Sequence, residues 1–172
     1  TVMITKDTPL AATDNYGLSK VKAEEGLKPL ADRNFRLAIL RPPMIYGKGC
    51  KGNYVTMSKL ARKLPVFPKV DNQRSMLYIE NLVEFVRLLI NNEEKGIFWP
   101  QNEEYTNTSE MVAMIAAAHG RKILLVPGFG WALKIMGRFT GLVDKAFGSL
   151  TYDQEMSKYK VPYCKKTLAE SI

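Results

Sequence analysis

The chain has 172 residues, 46% hydrophobic and 24% charged, with a formal net charge of +8. Those proportions describe a globular domain with room for one hydrophobic core. Two distant cysteines, Cys50 and Cys164, and a single histidine, His119, argue against a disulfide framework or a zinc site. No metal is expected, and the pattern fits a reducing cytoplasm. No membrane span is expected either, since the most apolar stretch, 129–150, is broken by Lys134, Arg138, Asp144 and Lys145. The N-terminus is no signal peptide and reads as a cut end. The lysines are scattered and no nucleic-acid motif appears, so solvated surface is the simplest reading of the charge. A diphosphate-bearing substrate suits it equally well.

Residues 7–15 are loop, with Pro9, Asp14 and Asn15 as turn formers. A helix is predicted over 16–31, a strand over 35–40 ending at Arg41-Pro42-Pro43, and a Gly/Lys-rich loop over 46–53. A second helix spans 54–64 and is broken by Pro65 and Pro68. A short strand at 76–79 precedes a strong helix over 81–90, with Leu82, Phe85, Val86, Leu89 and Ile90 on its apolar side. Residues 96–99 form a strand. The character then changes near Asn102. Asn107-Thr108-Ser109-Glu110 resembles a capping box for a helix to Ala118, stopped by Gly120, with His119 at its end. An apolar segment at 123–126 is followed by a helix with Trp131, Ile135, Phe139 and Leu142 on one stripe. A strand at 149–152 and a last short helix from Thr167 complete the pattern. Strands alternating with helices predict a parallel α/β sheet.

Tyr16 and Lys20 are spaced four apart and share a helix face. An ammonium beside a phenol favours the phenolate, which makes Tyr16 a candidate general acid/base for alcohol–carbonyl interconversion. The spacing alone is weak, because a chain with 8 tyrosines and this many lysines reaches it about once by chance. Its surroundings are more specific. Asp7-Thr8-Pro9-Leu10, Tyr16-Gly17-x-Ser19-Lys20, Leu40-Arg41-Pro42-Pro43-x-x-Tyr46-Gly47, and Arg74-Ser75 leading into Tyr78-Ile79-Glu80-Asn81-Leu82 occur in order.

In these motifs the chain resembles the extended short-chain dehydrogenase/reductases, the NAD-dependent epimerase/dehydratase group acting on nucleotide sugars. The resemblance implies the C-terminal part of a Rossmann-type parallel α/β fold over 1–102 and a small mixed α/β substrate-binding lobe over 103–172. It implies that Tyr16 is the catalytic acid/base. Lys20 would assist it and hold the nicotinamide ribose, with Pro43 and Met44 also beside the cofactor, NAD or NADP. Many relatives carry asparagine where Met44 stands. Asn53 and Arg74 match substrate-binding positions, the arginine suiting a diphosphate.

Two family features are missing. The Gly-x-x-Gly-x-x-Gly fingerprint of the N-terminal half is absent, as is the Ser or Thr roughly two dozen residues before the tyrosine. Gly47-x-Gly49-x-x-Gly52 lies downstream of Tyr16 and reads as a substrate-side loop. The resemblance implies a UDP-sugar 4-epimerase of the UDP-glucose type, using transient hydride transfer to bound NAD. The alternatives are a 4-keto-sugar reductase or dehydratase of surface-polysaccharide biosynthesis consuming NAD(P)H, and a non-catalytic fragment or assembly subunit. A membrane- or nucleic-acid-binding module is the remaining option. The substrate is expected to be a UDP- or dTDP-sugar, and a homodimer is expected by analogy.

Overall fold

A computed structural model describes residues 2–128 and 147–172, apart from the Asn53 side chain. The expected stripe from Trp131 to Leu142 lies outside these residues. The elements in order are β1 (Val2–Ile4), α1 (Asn15–Leu27), β2 (Ala38–Leu40), β3 (Met44–Tyr46), α2 (Asn53–Lys63), β4 (Val66–Pro68) and β5 (Met76–Tyr78). They continue with α3 (Ile79–Asn91), β6 (Gly96–Phe98), α4 (Thr108–Ala118), β7 (Leu124–Val126) and β8 (Leu150–Tyr152). Among the described residues the strands pair as β1–β8, β2–β6, β3–β5 and β4–β7, all parallel. Parallel neighbours need crossover connections, and α2 lies in the one between β3 and β5. The architecture is mixed α/β with parallel strands, as the alternation of elements predicts.

Local chemistry sets the boundaries. The Asp14 carboxylate accepts the Gly17 amide at 2.7 Å and caps α1. A Cβ at Gly17 would lie 2.9 Å from the Ala12 Cβ, so the loop closes onto the first turn only because residue 17 is glycine. Asn107 Oδ1 accepts the Ser109 and Glu110 amides at 2.9 and 3.2 Å and caps α4, as its sequence predicts. His119 ends that helix, its Nδ1 2.9 Å from the Ile115 carbonyl.

Three expectations are corrected. The strand placed at 35–40 starts only at Ala38, because the Asp32 carboxylate binds the Asn34 and Phe35 amides at 2.7 and 2.8 Å in a turn. The prolines at 65 and 68 do end α2, yet Val66–Pro68 forms β4 against Leu124–Val126. Proline is tolerated there at a strand terminus. The turn after Pro43 opens directly into β3, whose Tyr46 lies opposite Tyr78.

β5 organises the interior. Its residues are buried on both faces, with Met76 and Tyr78 in one apolar cluster and Leu77 in another. The first cluster joins Tyr46, Met57 and Phe67 to Met111, Val112 and Ile115, so α2 packs on α4. In the second, the Phe85 ring meets Phe98, Tyr159 and Tyr163 at centroid distances of 5.9, 5.3 and 4.6 Å.

Buried polar groups then hold the C-terminal tail. Asn81 Oδ1 accepts the Lys165 and Lys166 amides at 2.9 and 3.2 Å, and its Nδ2 donates to Lys166 O and Asn102 Oδ1. Asn102 Nδ2 donates to the Tyr46 hydroxyl at 3.0 Å, and that hydroxyl also shares a 2.7 Å bond with Ser171.

Candidate active site

Tyr16 occupies the first turn of α1 and Lys20 the next, so both project from one side of the helix. Lys20 Nζ lies 5.2 Å from the centroid of the Tyr16 ring. Tyr16 is 73% exposed, which leaves its hydroxyl open to a reactant. Ser19 does not reach outward, because its hydroxyl donates to the Tyr16 carbonyl at 2.7 Å.

The pair lines an open groove of about 910 Å³ bounded by α1, the β2 strand and the Arg41-Pro42-Pro43 turn. Thr5 and Thr8 from the loop before α1, Trp99 and Tyr152 complete its rim. The walls are largely apolar, and Tyr16 and Lys20 are polar groups set into them. Smaller hollows of 390, 760 and 470 Å³ lack the pair.

A second polar group forms deeper in the groove. Glu24, two turns beyond Tyr16, receives Arg41 Nε at 3.0 Å on Oε2 and Arg41 Nη2 on Oε1. Lys28 Nζ joins it at 2.7 Å. The hydrogen bonds from Arg41, ahead of those from Lys28, hold the Glu24 carboxyl below its usual range. The Arg41 guanidinium also lies 5.8 Å from the Trp99 ring centroid. Burial raises the Tyr152 phenol, partly offset by the nearby Arg41 charge.

The groove brings together Tyr16, Lys20 and Pro43 of the residues singled out by sequence. Met44 stands one residue further, in β3, packed against the first apolar cluster. Asn53 opens α2, and its side chain lies outside the described residues. Arg74 is apart from the groove lining: its Nη1 donates to the Gly148 carbonyl at 2.7 Å, and its backbone bridges Thr106 and Leu150. Glu24 and Trp99 are groove residues that the sequence reading passed over. The signal for Glu24 was present, since it continues the four-residue spacing of Tyr16 and Lys20.

Comparison with known proteins decides the family. The NAD dependent epimerase/dehydratase family model matches residues 2–99. The chain belongs to that family. It is 32% identical over 157 residues to UDP-glucose 4-epimerase of Vibrio cholerae, an alignment covering 86% of this chain and 48% of that protein. It is 29% identical over 117 residues to the N-acetyl-alpha-D-glucosaminyl-diphospho-ditrans,octacis-undecaprenol 4-epimerase of Escherichia coli O157:H7, covering 64% of this chain and 35% of that one. The chain thus spans half or less of the length of these relatives. Its fold matches the crystal structure of UDP-glucuronic acid 4-epimerase from Bacillus cereus in complex with NAD, with TM-score 0.68 and 11% identity, over 99% of this chain and 54% of that one. Among the described residues no helix is long and apolar enough to cross a membrane.

Proposed function

We propose that the intact protein is a 4-epimerase of a diphosphate-linked sugar, of the UDP-glucose type, with Tyr16 as the proton-transfer group. The observation that carries this reading is the exposed Tyr16–Lys20 pair on the wall of the 910 Å³ groove, facing the Pro42-Pro43 turn. The two curated relatives support it, since both are named as 4-epimerases of sugars joined to a diphosphate.

The groove residues suit a dinucleotide. An ammonium and a phenol stand exposed beside proline walls, a donor set that fits a ribose diol and a flat pyridine ring. Bound NAD or NADP would supply hydride acceptance and return. Tyr16 takes the proton of the sugar hydroxyl at C4 as that carbon is oxidised and gives it back when the carbon is reduced on its other face. Lys20 keeps a positive charge beside the phenolate and holds the ribose hydroxyls. Pro43 and Met44 bound the nicotinamide side, while Asn53 and Arg74 serve the sugar nucleotide. Residues 1–102 complete the cofactor-binding half and 103–172 form the substrate lobe. The whole protein acts as a homodimer on a UDP- or dTDP-sugar.

The test is turnover of UDP-glucose by the intact protein without added cofactor. Release of UDP-galactose, lost in Tyr16→Phe, supports the reading. Failure of that reaction together with stoichiometric consumption of added NAD(P)H on a 4-keto-sugar nucleotide replaces epimerisation by keto-sugar reduction. No turnover of either kind overturns the catalytic reading.

A further inference from the structure

Helix α1 carries the reactive pair, yet none of its residues is buried. Apolar packing is what normally fixes the roll and height of a helix on a sheet. Within this part of the protein α1 gains little such anchoring, and Leu18 and Leu27 remain 41% and 40% exposed, so its side-chain bonds to the sheet carry the positioning here. A mobile α1 would leave the Tyr16 hydroxyl poorly placed, and misplacement by about 1 Å costs roughly a hundredfold in rate.

Among the described residues, one side-chain connection joins α1 to the opposite wall of the groove. Glu24 lies two helical turns beyond Tyr16 on the same face, with Lys20 between them. Its carboxylate is gripped by both Nε and Nη2 of Arg41, a two-pronged bond that fixes direction as well as distance. Arg41 is itself fixed. Its amide donates to the Phe98 carbonyl at 2.8 Å, continuing the β2–β6 pairing, and its guanidinium faces Trp99. The next residues are Pro42 and Pro43, the other wall of the groove. The side chains are well shielded, with Glu24 at 10% and Arg41 at 21% exposure, so the pair is less screened than a surface ion pair.

We propose that Glu24 and Arg41 are positioning residues, which set the distance between the Tyr16–Lys20 pair and the Pro42-Pro43 wall. They touch no reacting atom. Lys28, one turn further on at the C-terminal end of α1, gives the same carboxylate a second cation. The proposal rests on the assignment of Tyr16 and Lys20 to proton transfer, but it can be tested separately from it.

Glu24→Gln and Arg41→Lys are made in the intact protein, with Glu94→Gln as a control that removes an ion pair outside the groove. Epimerase kcat and KM are measured for each folded variant, together with hydrogen exchange of the Asn15–Leu27 amides. The expected result for Glu24→Gln is a fall in kcat of about ten- to hundredfold with KM for the sugar nucleotide within about twofold. Exchange should rise about tenfold in α1 and remain unchanged in α3. Arg41→Lys keeps the charge but loses the fork, so it falls between wild type and Glu24→Gln. Glu94→Gln leaves kcat unchanged. A variant that melts earlier but retains wild-type kcat assigns the pair a structural role only and overturns the proposal. If the wild-type protein turns over no sugar nucleotide, the catalytic assignment fails by itself. Exchange then decides the pairing: unchanged α1 protection in Glu24→Gln overturns it, and selective loss upholds it.

Discussion

Tyr16 and Asn81 show how differently single side chains serve this protein. Tyr16 is exposed and makes no core contact, so Tyr16→Phe should leave the melting temperature within about 1 °C while reducing turnover by about 10²–10⁴-fold. Thermal unfolding and initial-rate kinetics on the same sample check both halves. Asn81 is the reverse case, fully buried with its amide bonded on both atoms. Asn81→Leu takes the Asn81 bonds from the Lys165 and Lys166 amides and from the Lys166 carbonyl, at a cost of about 3 kcal/mol, read by urea denaturation. Gly47 adopts φ of +136°, and a Cβ there would stand 2.6 Å from Ile79 Cγ2. Gly47→Ala should therefore cost about 1–3 kcal/mol in the same assay.

Helix α3 and the tail make an electrostatic strap at the scale of elements. Lys166 pairs with Glu80 at 3.0 Å, Lys165 with Glu84 at 3.4 Å, and Lys160 with Glu94 just beyond the helix. The bond from Arg87, and then that from Lys165, hold the Glu84 carboxyl at about 2. Glu80 and Glu94 are lowered by their lysine partners. A carboxylate depressed in the folded state stabilises it above the ordinary carboxylate range, and that contribution fades as pH falls toward the folded value. The melting temperature should therefore drop between about pH 5 and pH 2, and the combined substitution of Glu80, Glu84 and Glu94 by glutamine should flatten that slope. The strap also corrects the reading of α3 as a helix with Ile90 on its apolar side, for Ile90 is 69% exposed while the tail claims the Phe85–Leu89 face.

For the whole molecule, legibility followed range of interaction. The α4 cap, the parallel α/β class and the Tyr16–Lys20 helix were readable because each depends on neighbours a few residues apart. β3 and β4 were not, because strands of 3 residues take their identity from partners such as Met76–Tyr78 and Leu124–Val126. The Asn81–Asn102 junction has no periodicity, so nothing in the sequence marks it. In the groove, Tyr16 and Lys20 were singled out by their motif and Pro43 by the family resemblance, whereas the pairing of Glu24 with Arg41 became visible only once α1 lay against the β2–β3 turn. The strand partners β1 and β8 lie far apart in sequence, Val2 opposite Leu150, so their pairing is a late, long-range closure. Separating them by truncation before Leu150 should abolish cooperative unfolding, as monitored by circular dichroism. The buried Asn81–Asn102 junction has a consequence for history as well as for stability. Each amide serves several partners at once, so neither residue can change alone without leaving a buried group unpaired. This joint between α3 and the tail is therefore inherited as a unit.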